Sequence, residues 1–184
     1  MEPNGITTCL HSPIVQQATM PHCRLHATSS DRWTTRRVPS ATRNTHITTH
    51  AHELALTVLF ESGLQHLADR PESFLAQPAP VQQFLSALPA AWDETLLLDG
   101  YPAHHVVMAR RSGHTWYVAG INGTDDPLTL ELPLTRLPRR LATATLMLDG
   151  TDTAQPWDIR HIAYKQMPQT VTLKPRGGFV AVIE

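Results

Sequence analysis

From residue 92 onward, apolar residues recur at every second position in short segments that are separated by turn-forming residues. A period of two places alternate side chains on opposite faces of an extended strand. The turns include Ser112-Gly113, Asn122-Gly123 and Asp149-Gly150, which favour hairpins over the helical crossovers of parallel sheets. The sequence therefore predicts a mainly β fold, an antiparallel β-sandwich of about eight strands. The predicted strands are 95–98, 104–111, 115–121, 128–132, 141–148, 159–164, 170–173 and 179–183.

One or two helices are predicted ahead of the strands. The run from His50 to Asp69 lacks proline and has apolar residues at three- and four-residue spacings, which indicates a helix. Apolar residues extend around most of its circumference, and such a helix needs cover on two sides. A shorter helix is predicted from Pro80 to Leu88, with a proline in its first turn.

Residues 1–46 follow neither pattern. Residues 1–50 hold five arginines and two carboxylates, whereas residues 51–184 hold ten basic and fourteen acidic side chains. A segment without apolar periodicity cannot bury enough surface to offset the entropy of ordering its backbone, about 1–2 kcal/mol per residue. We therefore predict a disordered arm at 1–46, a helical segment at 47–91 and a β-sandwich domain at 92–184.

The charge balance and hydropathy argue against several function classes. Fifteen basic and sixteen acidic residues give a formal net charge of −1, whereas nucleic-acid-binding proteins concentrate basic residues on one face. No apolar run reaches the roughly 18–20 residues that cross a bilayer. The first residues lack the basic and apolar regions of a secretory signal, so the location is left open. We expect neither a nucleic-acid nor a membrane partner.

Five side chains near the amino terminus are of metal-ligating types. A structural zinc site shows paired ligands at two- to four-residue spacing within a foldable module. The spacing here matches that pattern poorly, and we favour chance clustering over a metal site. These residues are Cys9, His11, His22, Cys23 and His26.

Asp93, Glu94 and Asp99 form the densest group of carboxylates. Glycoside hydrolysis requires a pair of carboxylates, one as acid and one as base or nucleophile. These three flank a predicted strand, so we favour solvated or turn-forming roles. Glu61, inside the predicted apolar helix, is expected to form an ion pair with an arginine such as Arg110 rather than to act in catalysis, because a buried charge needs a partner. We assign no catalytic or metal-binding residue.

Two further sets of residues have alternative interpretations. The sequence Asn122-Gly123-Thr124 matches a glycosylation sequon, although the turn preference of Asn-Gly explains it better. Five aromatic residues are able to stack on sugar rings, but membership of the core is favoured for residues of this size. They are Trp92, Trp116, Tyr117, Trp157 and Tyr164.

Eight different short motifs follow one another along residues 47–184. They are Ala51-His52-Glu53-Leu54-Ala55, Phe60-Glu61-Ser62-Gly63-Leu64-Gln65, Ala68-Asp69, Trp92-Asp93-Glu94-Thr95, Leu98-Asp99-Gly100, Ala109-Arg110-Arg111, Trp116-Tyr117-Val118 and Gly177-Gly178-Phe179. In this order and spacing they resemble the C-terminal end of glycoside hydrolase family 97. Nothing comparable covers residues 1–46.

The resemblance implies that this chain is one part of a longer protein with several domains. Members of the family have an N-terminal β-sandwich, a central (β/α)8 barrel and a C-terminal β domain described as an oligomerisation domain. They are typically periplasmic or secreted bacterial enzymes that hydrolyse α-glucosidic or α-galactosidic bonds and hold calcium in the barrel. By position, 50–69 resembles the last barrel helix, 71–91 the link leaving the barrel, and 92–184 the β domain.

A complete barrel of this kind takes about 200–250 residues and places catalysis at the C-terminal ends of its strands. Only residues 1–46 precede the last barrel helix, so the resemblance implies that catalytic carboxylates and calcium ligands lie outside this chain. We therefore expect a non-catalytic C-terminal fragment of an α-glycoside hydrolase, without a cofactor of its own, that serves barrel packing and oligomerisation.

The expected partners are a barrel domain or a second copy of the chain. The possible interface residues are Leu56, Phe60, Trp92 and Trp116, and we expect the helix at 50–69 to leave one apolar side uncovered. Two alternatives stay open. One is a carbohydrate-binding β-sandwich module. The other is an active α-glucosidase or α-galactosidase, either alone through Asp93 and Glu94 or when a separate barrel complements it.

Overall fold

The computed structural model describes residues 47–61, 71–138, 140–152 and 155–184. Within these ranges three α-helices precede eight strands, so the predicted mainly β fold behind a helical segment is confirmed. The predicted disordered arm, residues 1–46, lies outside the described residues. The helices are α1 (His50–Leu59), α2 (Pro71–Leu75) and α3 (Ala79–Ala87). The strands are β1 (Glu94–Tyr101), β2 (His105–Ser112), β3 (Thr115–Asn122), β4 (Leu128–Glu131), β5 (Thr143–Asp149), β6 (Trp157–Ala163), β7 (Thr170–Leu173) and β8 (Gly178–Ile183).

The strands form two sheets whose pairs are all antiparallel. Six strands make the larger sheet in the order β1-β2-β3-β8-β5-β6, and β4 pairs with β7 in the smaller one. The β2–β3 turn contains Gly113 at φ 60°, a conformation that glycine adopts without steric cost, which confirms the predicted hairpin.

One side of the larger sheet, here called the strand face, packs against the smaller sheet. Its cluster includes Val107, Trp116 and Phe179 from the larger sheet and Leu130 and Val171 from the smaller one. In β4 the apolar Leu130 is buried while Thr129 and Glu131 are exposed, so the predicted alternation of this strand is confirmed.

The opposite side, here called the helix face, packs against α1 and α3. Its cluster combines Met108, Tyr117 and Val180 of the sheet with Leu54 of α1 and Phe84 of α3. Strands β2, β3 and β8 are therefore covered on both sides, as their continuous apolar sequences predict.

α1 crosses the sheet over β3, β8 and β5. It approaches β8 so closely that a Cβ atom on Gly178 would lie 2.7 Å from the Cα of His52. Asp149, at the end of β5, accepts hydrogen bonds from the backbone N–H of Ala51 (3.0 Å) and from the hydroxyl of Thr49 (2.7 Å). This carboxylate thereby binds the N-terminus of α1 to the sheet. A negative charge is favourable there because the helix dipole is positive at its N-terminus.

α1 is shorter than predicted and is followed by an unpredicted helix. It ends at Leu59 because Phe60 adopts an extended conformation, with ψ 134°. The carbonyl of Leu59 accepts a hydrogen bond from Arg110 instead of from a further helical turn. Pro71, which the sequence places just after the end of a long helix, begins the five-residue helix α2.

The expectation that α1 leaves an apolar side uncovered is wrong for its described residues. Residues 51–59 are all buried, and Leu56 and Phe60 are 1% and 6% exposed. The sheet lies on one side of the helix, and Val81 and Phe84 of α3 join the same apolar cluster. Packing within the chain therefore uses the surface that the sequence assigned to a partner.

β1 is longer than predicted and contains part of a predicted turn. Asp99 and Gly100 pair with β2, and a register shift between Leu97 and Asp99 marks a β-bulge. The chain reverses at Ala103, whose φ is 60°.

No helix in the described ranges has the length and apolar character needed to cross a membrane.

Candidate functional site

Asp93 and Glu94 share one cationic neighbour at the start of β1. Arg111 donates from Nη1 to Asp93 and from Nε to Glu94, at 3.2 Å in both cases. Asp93 also accepts the backbone N–H of Gly113 at 2.7 Å. Both carboxylates are about half exposed, at 52% and 44%. This geometry supports a turn held by a surface ion-pair cluster, the role favoured from the sequence.

Asp99 belongs to a separate polar chain on the surface. Its Oδ2 lies 3.1 Å from Nε2 of His105, whose Nδ1 lies 2.9 Å from Nδ1 of His104. The Oδ1 atom accepts the N–H of Gly100 at 2.8 Å. The sequence assigns no role to these histidines, because the β-bulge that brings Asp99 beside His105 has no signature there. Asp99, His104 and His105 line neither of the two cavities described below.

Arg110 is a buried cation on the helix face, 3% exposed. Its Nη2 donates to the carbonyl of Leu59 at 3.2 Å, and its guanidinium lies 5.6 Å from the ring centroid of Trp92. The Nε and Nη1 atoms have no hydrogen-bond partner in the described part of the chain. Burial lowers the pKa of Arg110, and the charge of Glu61 acts in the opposite direction.

The expected ion pair between Glu61 and Arg110 takes a weaker form. Glu61 lies beyond the end of α1 and is exposed, so it is not a buried carboxylate within a helix. The two charges influence one another, but the salt bridges of the described residues do not include a contact between them. The early end of α1 is the physical reason for this difference.

Asn122 is fully buried and organises the loop that leaves β3. Its Nδ2 donates to the carbonyls of Asp126 (2.7 Å) and Lys174 (3.0 Å), while its Oδ1 accepts the N–H of Thr124 at 2.9 Å. Both ends of the amide are therefore engaged inside the protein. The predicted hairpin at Asn122-Gly123 is not formed, because Asn122 ends β3 and the next strand, β4, pairs with β7 in the smaller sheet. A glycan on Asn122 would require this loop to open.

The five candidate aromatic residues do not form a common platform. Tyr117 belongs to the apolar cluster of the helix face, with Trp92 and Trp157 packed against it. Trp116 and Tyr164 contribute to the cluster of the strand face. The sheet therefore separates the set into two groups, and their role as core members is confirmed for Trp116 and Tyr117, which are 3% and 6% exposed.

Of the four possible interface residues, three lie in the interior. Leu56, Phe60 and Trp116 are buried. Trp92 is partly buried and packs edge-on against Tyr117, with ring centroids 5.2 Å apart. Contact of these residues with another chain stays a prediction, but three of them do not form an exposed surface in this structure.

Two cavities of moderate size flank the sheet. One of about 240 Å³ lies between β7 and the β5–β6 pair, and its lining includes Asp158, Arg160 and Lys174. The other, of about 220 Å³, lies between α3 and the sheet and is lined in part by Tyr117 and Glu184. Burial, and to a lesser extent the charge of Glu184, raises the pKa of Tyr117, so the phenol is neutral at physiological pH.

The described residues contain no group of three His, Cys, Asp or Glu side chains placed to hold a metal ion. The candidates Cys9, His11, His22, Cys23 and His26 lie outside the described residues. Calcium prefers six to eight oxygen ligands. The described carboxylates do not fit that requirement, and we give none of these described side chains a calcium-binding role.

Comparison with known proteins identifies relatives that are much longer. The chain is 47% identical over 134 residues to a probable retaining alpha-galactosidase of Streptomyces bingchenggensis, and the match covers 72% of this chain and 20% of that protein. It is 34% identical over 141 residues to a retaining alpha-galactosidase of Bacteroides thetaiotaomicron, which covers 74% of this chain and 21% of that protein. The chain thus spans about a fifth of these relatives' length.

Solved structures agree with the fold. A crystal structure of a beta-arabinopyranosidase superimposes with a TM-score of 0.64 at 32% identity, over 76% of this chain and 22% of that one. A glycoside hydrolase family 97 enzyme from Pseudoalteromonas superimposes with the same TM-score at 26% identity, over 74% and 22% of the two chains. The family model described as "Glycosyl-hydrolase 97 C-terminal, oligomerisation" matches residues 91–184. The chain therefore belongs to the family of C-terminal oligomerisation domains of glycosyl hydrolase 97.

Proposed function

We propose that this chain is the non-catalytic C-terminal part of an α-glycoside hydrolase, which packs against the catalytic barrel and joins copies of the enzyme. The observation that carries this proposal is the match of residues 91–184 to a domain family described by its role in oligomerisation. The two named relatives are a probable retaining alpha-galactosidase and a retaining alpha-galactosidase, so we infer an α-galactoside as the substrate of the whole enzyme.

The chemistry of the surface carboxylates supports a non-catalytic role. Glycoside hydrolysis uses a pair of carboxyl groups that flank the bond to be cleaved. Asp93 and Glu94 instead share Arg111 at 3.2 Å in a surface ion-pair cluster and are about half exposed. Neither lines a described cavity able to hold a sugar ring.

An activity assay tests the absence of catalysis. We expect the purified chain to release no chromophore from aryl α-galactosides or α-glucosides. Turnover that Asp93→Asn or Glu94→Gln abolishes would overturn the proposal. Turnover that persists in both variants would point to a contaminating enzyme, and purification from a host without α-galactosidase then repeats the test.

Sedimentation velocity tests the assembly role. If this chain self-associates without the rest of the enzyme, the fraction of oligomer rises with protein concentration, because association follows mass action. We expect the average mass to rise above that of the 20.4 kDa monomer as the concentration increases. Glycan pull-down separates this role from a carbohydrate-binding module, which would bind immobilised sugars as a monomer.

A further inference from the structure

β6 forms one free edge of the six-stranded sheet, and β1 forms the other. Two hydrogen bonds at the ends of β6 establish its orientation. The N–H of Tyr164 donates to the carbonyl of Ala142, and the N–H of Gly150 donates to the carbonyl of Pro156, both at 2.9 Å. In an antiparallel ladder, hydrogen-bonded pairs alternate with non-hydrogen-bonded pairs, so these contacts determine the pattern between them.

The even-numbered residues of β6 therefore direct their backbone groups toward β5. Trp157, Ile159 and His161 direct their N–H and C=O groups away from the sheet. Within the described part of the chain, no strand lies beyond β6 to receive them. An exposed row of this kind is a template for pairing with another strand.

The side chains of β6 are arranged symmetrically about Ile159. Asp158 and Arg160 are the residues directly before and after Ile159, and Trp157 and His161 are the next residues outward on either side. In an antiparallel pairing of two copies centred on Ile159, Asp158 lies opposite Arg160 of the partner subunit, and Trp157 lies opposite His161 of the partner subunit. The outward-facing backbone groups also come into register, since residues 157, 159 and 161 pair only with one another.

The charged pairs occupy the positions where cross-strand contact is closest. Asp158 and Arg160 have their backbone groups turned inward, so across the new interface they form a non-hydrogen-bonded pair, in which side chains approach most closely. They are 37% and 57% exposed, and Arg160 donates to Asp158 within the strand, from Nη2 at 2.5 Å and from Nε at 3.1 Å. The cavity of about 240 Å³ that they line leaves space on this face for rearrangement.

β1 lacks these properties. Its β-bulge between Leu97 and Asp99 interrupts a regular ladder, and the carbonyl of Leu97 already accepts a hydrogen bond from Arg136 at 2.6 Å. A bulge at an edge bends the strand and is a device that prevents strand pairing. The two edges of the sheet thus differ, and within the described ranges β6 is the edge that is regular and self-complementary in charge.

We propose that two copies of this chain associate through β6, antiparallel and centred on Ile159, so that their larger sheets join into one continuous sheet with two-fold symmetry. The inference rests on the proposed self-association and names its surface. In such an isologous interface each ion pair occurs twice, so a change to one residue alters two contacts.

Charge exchange tests the interface. Asp158→Arg or Arg160→Asp places like charges opposite each other twice, and we expect each variant to weaken dimerisation by roughly tenfold or more, measured by sedimentation velocity. The double variant Asp158→Arg/Arg160→Asp restores opposite charges and is expected to dimerise close to the wild-type level. Glu94→Arg, the same kind of charge change on β1, is the matched control and should leave dimerisation unchanged.

A backbone variant tests the pairing independently of charge. Ile159→Pro removes an outward-facing N–H, which an edge strand tolerates, and is expected to abolish dimerisation while far-UV circular dichroism keeps its β signal. An oligomer that all of these variants leave intact would overturn the β6 interface but not the proposed self-association. A wild-type chain that remains monomeric at about 100 µM would overturn both.

Discussion

The two faces of the six-stranded sheet are closed in different ways. The strand face is covered by two short strands, and its cluster consists of apolar side chains such as Val107 and Phe179, with the buried Asn122 at the end of β3 beside it. The helix face has an apolar cluster of similar extent but also contains buried polar groups. These are Thr48, His52, Glu53 and Thr57 around α1, and Arg110 on β2.

This difference shows how each covering element is positioned. Apolar packing is non-directional, and it dominates on the strand face, where β4 and β7 pair with each other and present their alternating leucines and valines to the sheet. One directional contact, from the amide of Asn122 to the carbonyl of Lys174 at 3.0 Å, binds the end of β7 to β3. α1 is held by directional contacts, since Asp149 binds its N-terminus and Arg110 binds its last carbonyl.

The strand face is expected to respond most strongly to a loss of volume. Phe179 is fully buried, and Phe179→Ala should reduce the free energy of unfolding by about 3–5 kcal/mol, because it removes apolar contact and leaves a cavity. Urea denaturation followed by circular dichroism measures the change. Leu75→Ala, at a side chain that is 73% exposed, is the control and should stay within about 0.5 kcal/mol. Equal effects of both variants would contradict the packing described here.

The helix face is expected to respond to an added methyl group. In Gly178→Ala the new Cβ would lie 2.7 Å from the Cα of His52 and 2.9 Å from the carbonyl oxygen of Ala51, so the helix backbone must move. We expect a loss of about 1–3 kcal/mol. Hydrogen exchange should accelerate in α1 more than in β2.

Gly113→Asn provides the control for the glycine substitution. Gly113 has φ 60°, and no neighbouring atom lies within 4 Å of the point that a Cβ atom on this residue would occupy. Asparagine tolerates this backbone conformation, so the free energy of unfolding should change little. If Gly178→Ala is as mild as Gly113→Asn, the close approach of α1 to β8 is not what positions the helix.

Removing the carboxylate that binds α1 should have a smaller effect. Asp149→Ala loses acceptors for Ala51, Thr49 and Gly178, and such contacts contribute about 1–2 kcal/mol at a helix N-terminus. Asp149→Asn retains one acceptor oxygen and should lie between the wild type and Asp149→Ala in urea denaturation. A ranking in which asparagine destabilises more than alanine would contradict this role.

The strands are predictable because each carries its own periodic signal. The alternation in β4 and the Ser112-Gly113 turn are local features, and local features determine where strands begin and reverse. The environment of α1 is not predictable in the same way. Its apolar circumference indicates two covered sides, but the sequence does not identify the sheet and α3 as elements that cover it.

The contacts that cross the sheet also escape prediction. The sequence indicates Asp149 as part of an Asp-Gly turn, whereas its carboxylate lies 3.0 Å from the N–H of Ala51, a residue 98 positions away. The sequence places Glu61 within a helix beside Arg110, and the helix ends before it. Such contacts depend on the three-dimensional placement of distant segments, for which spacing along one chain gives no signal.

Arg110 provides the finest test of the contrast between the two faces. Its guanidinium is buried, yet two of its donor atoms have no partner in the described part of the chain, so part of its desolvation cost is not recovered. Arg110→Met keeps most of the volume under Trp92 and removes the charge, and we expect it to change the free energy of unfolding by less than about 1 kcal/mol in either direction. Arg110→Ala leaves a cavity and should be clearly more destabilising in urea denaturation. If Arg110→Met lowers the free energy of unfolding as much as Arg110→Ala, the hydrogen bond to Leu59 contributes more than the packed volume of the side chain. The C-terminal end of α1 would then be positioned by a directional contact, as its N-terminus is.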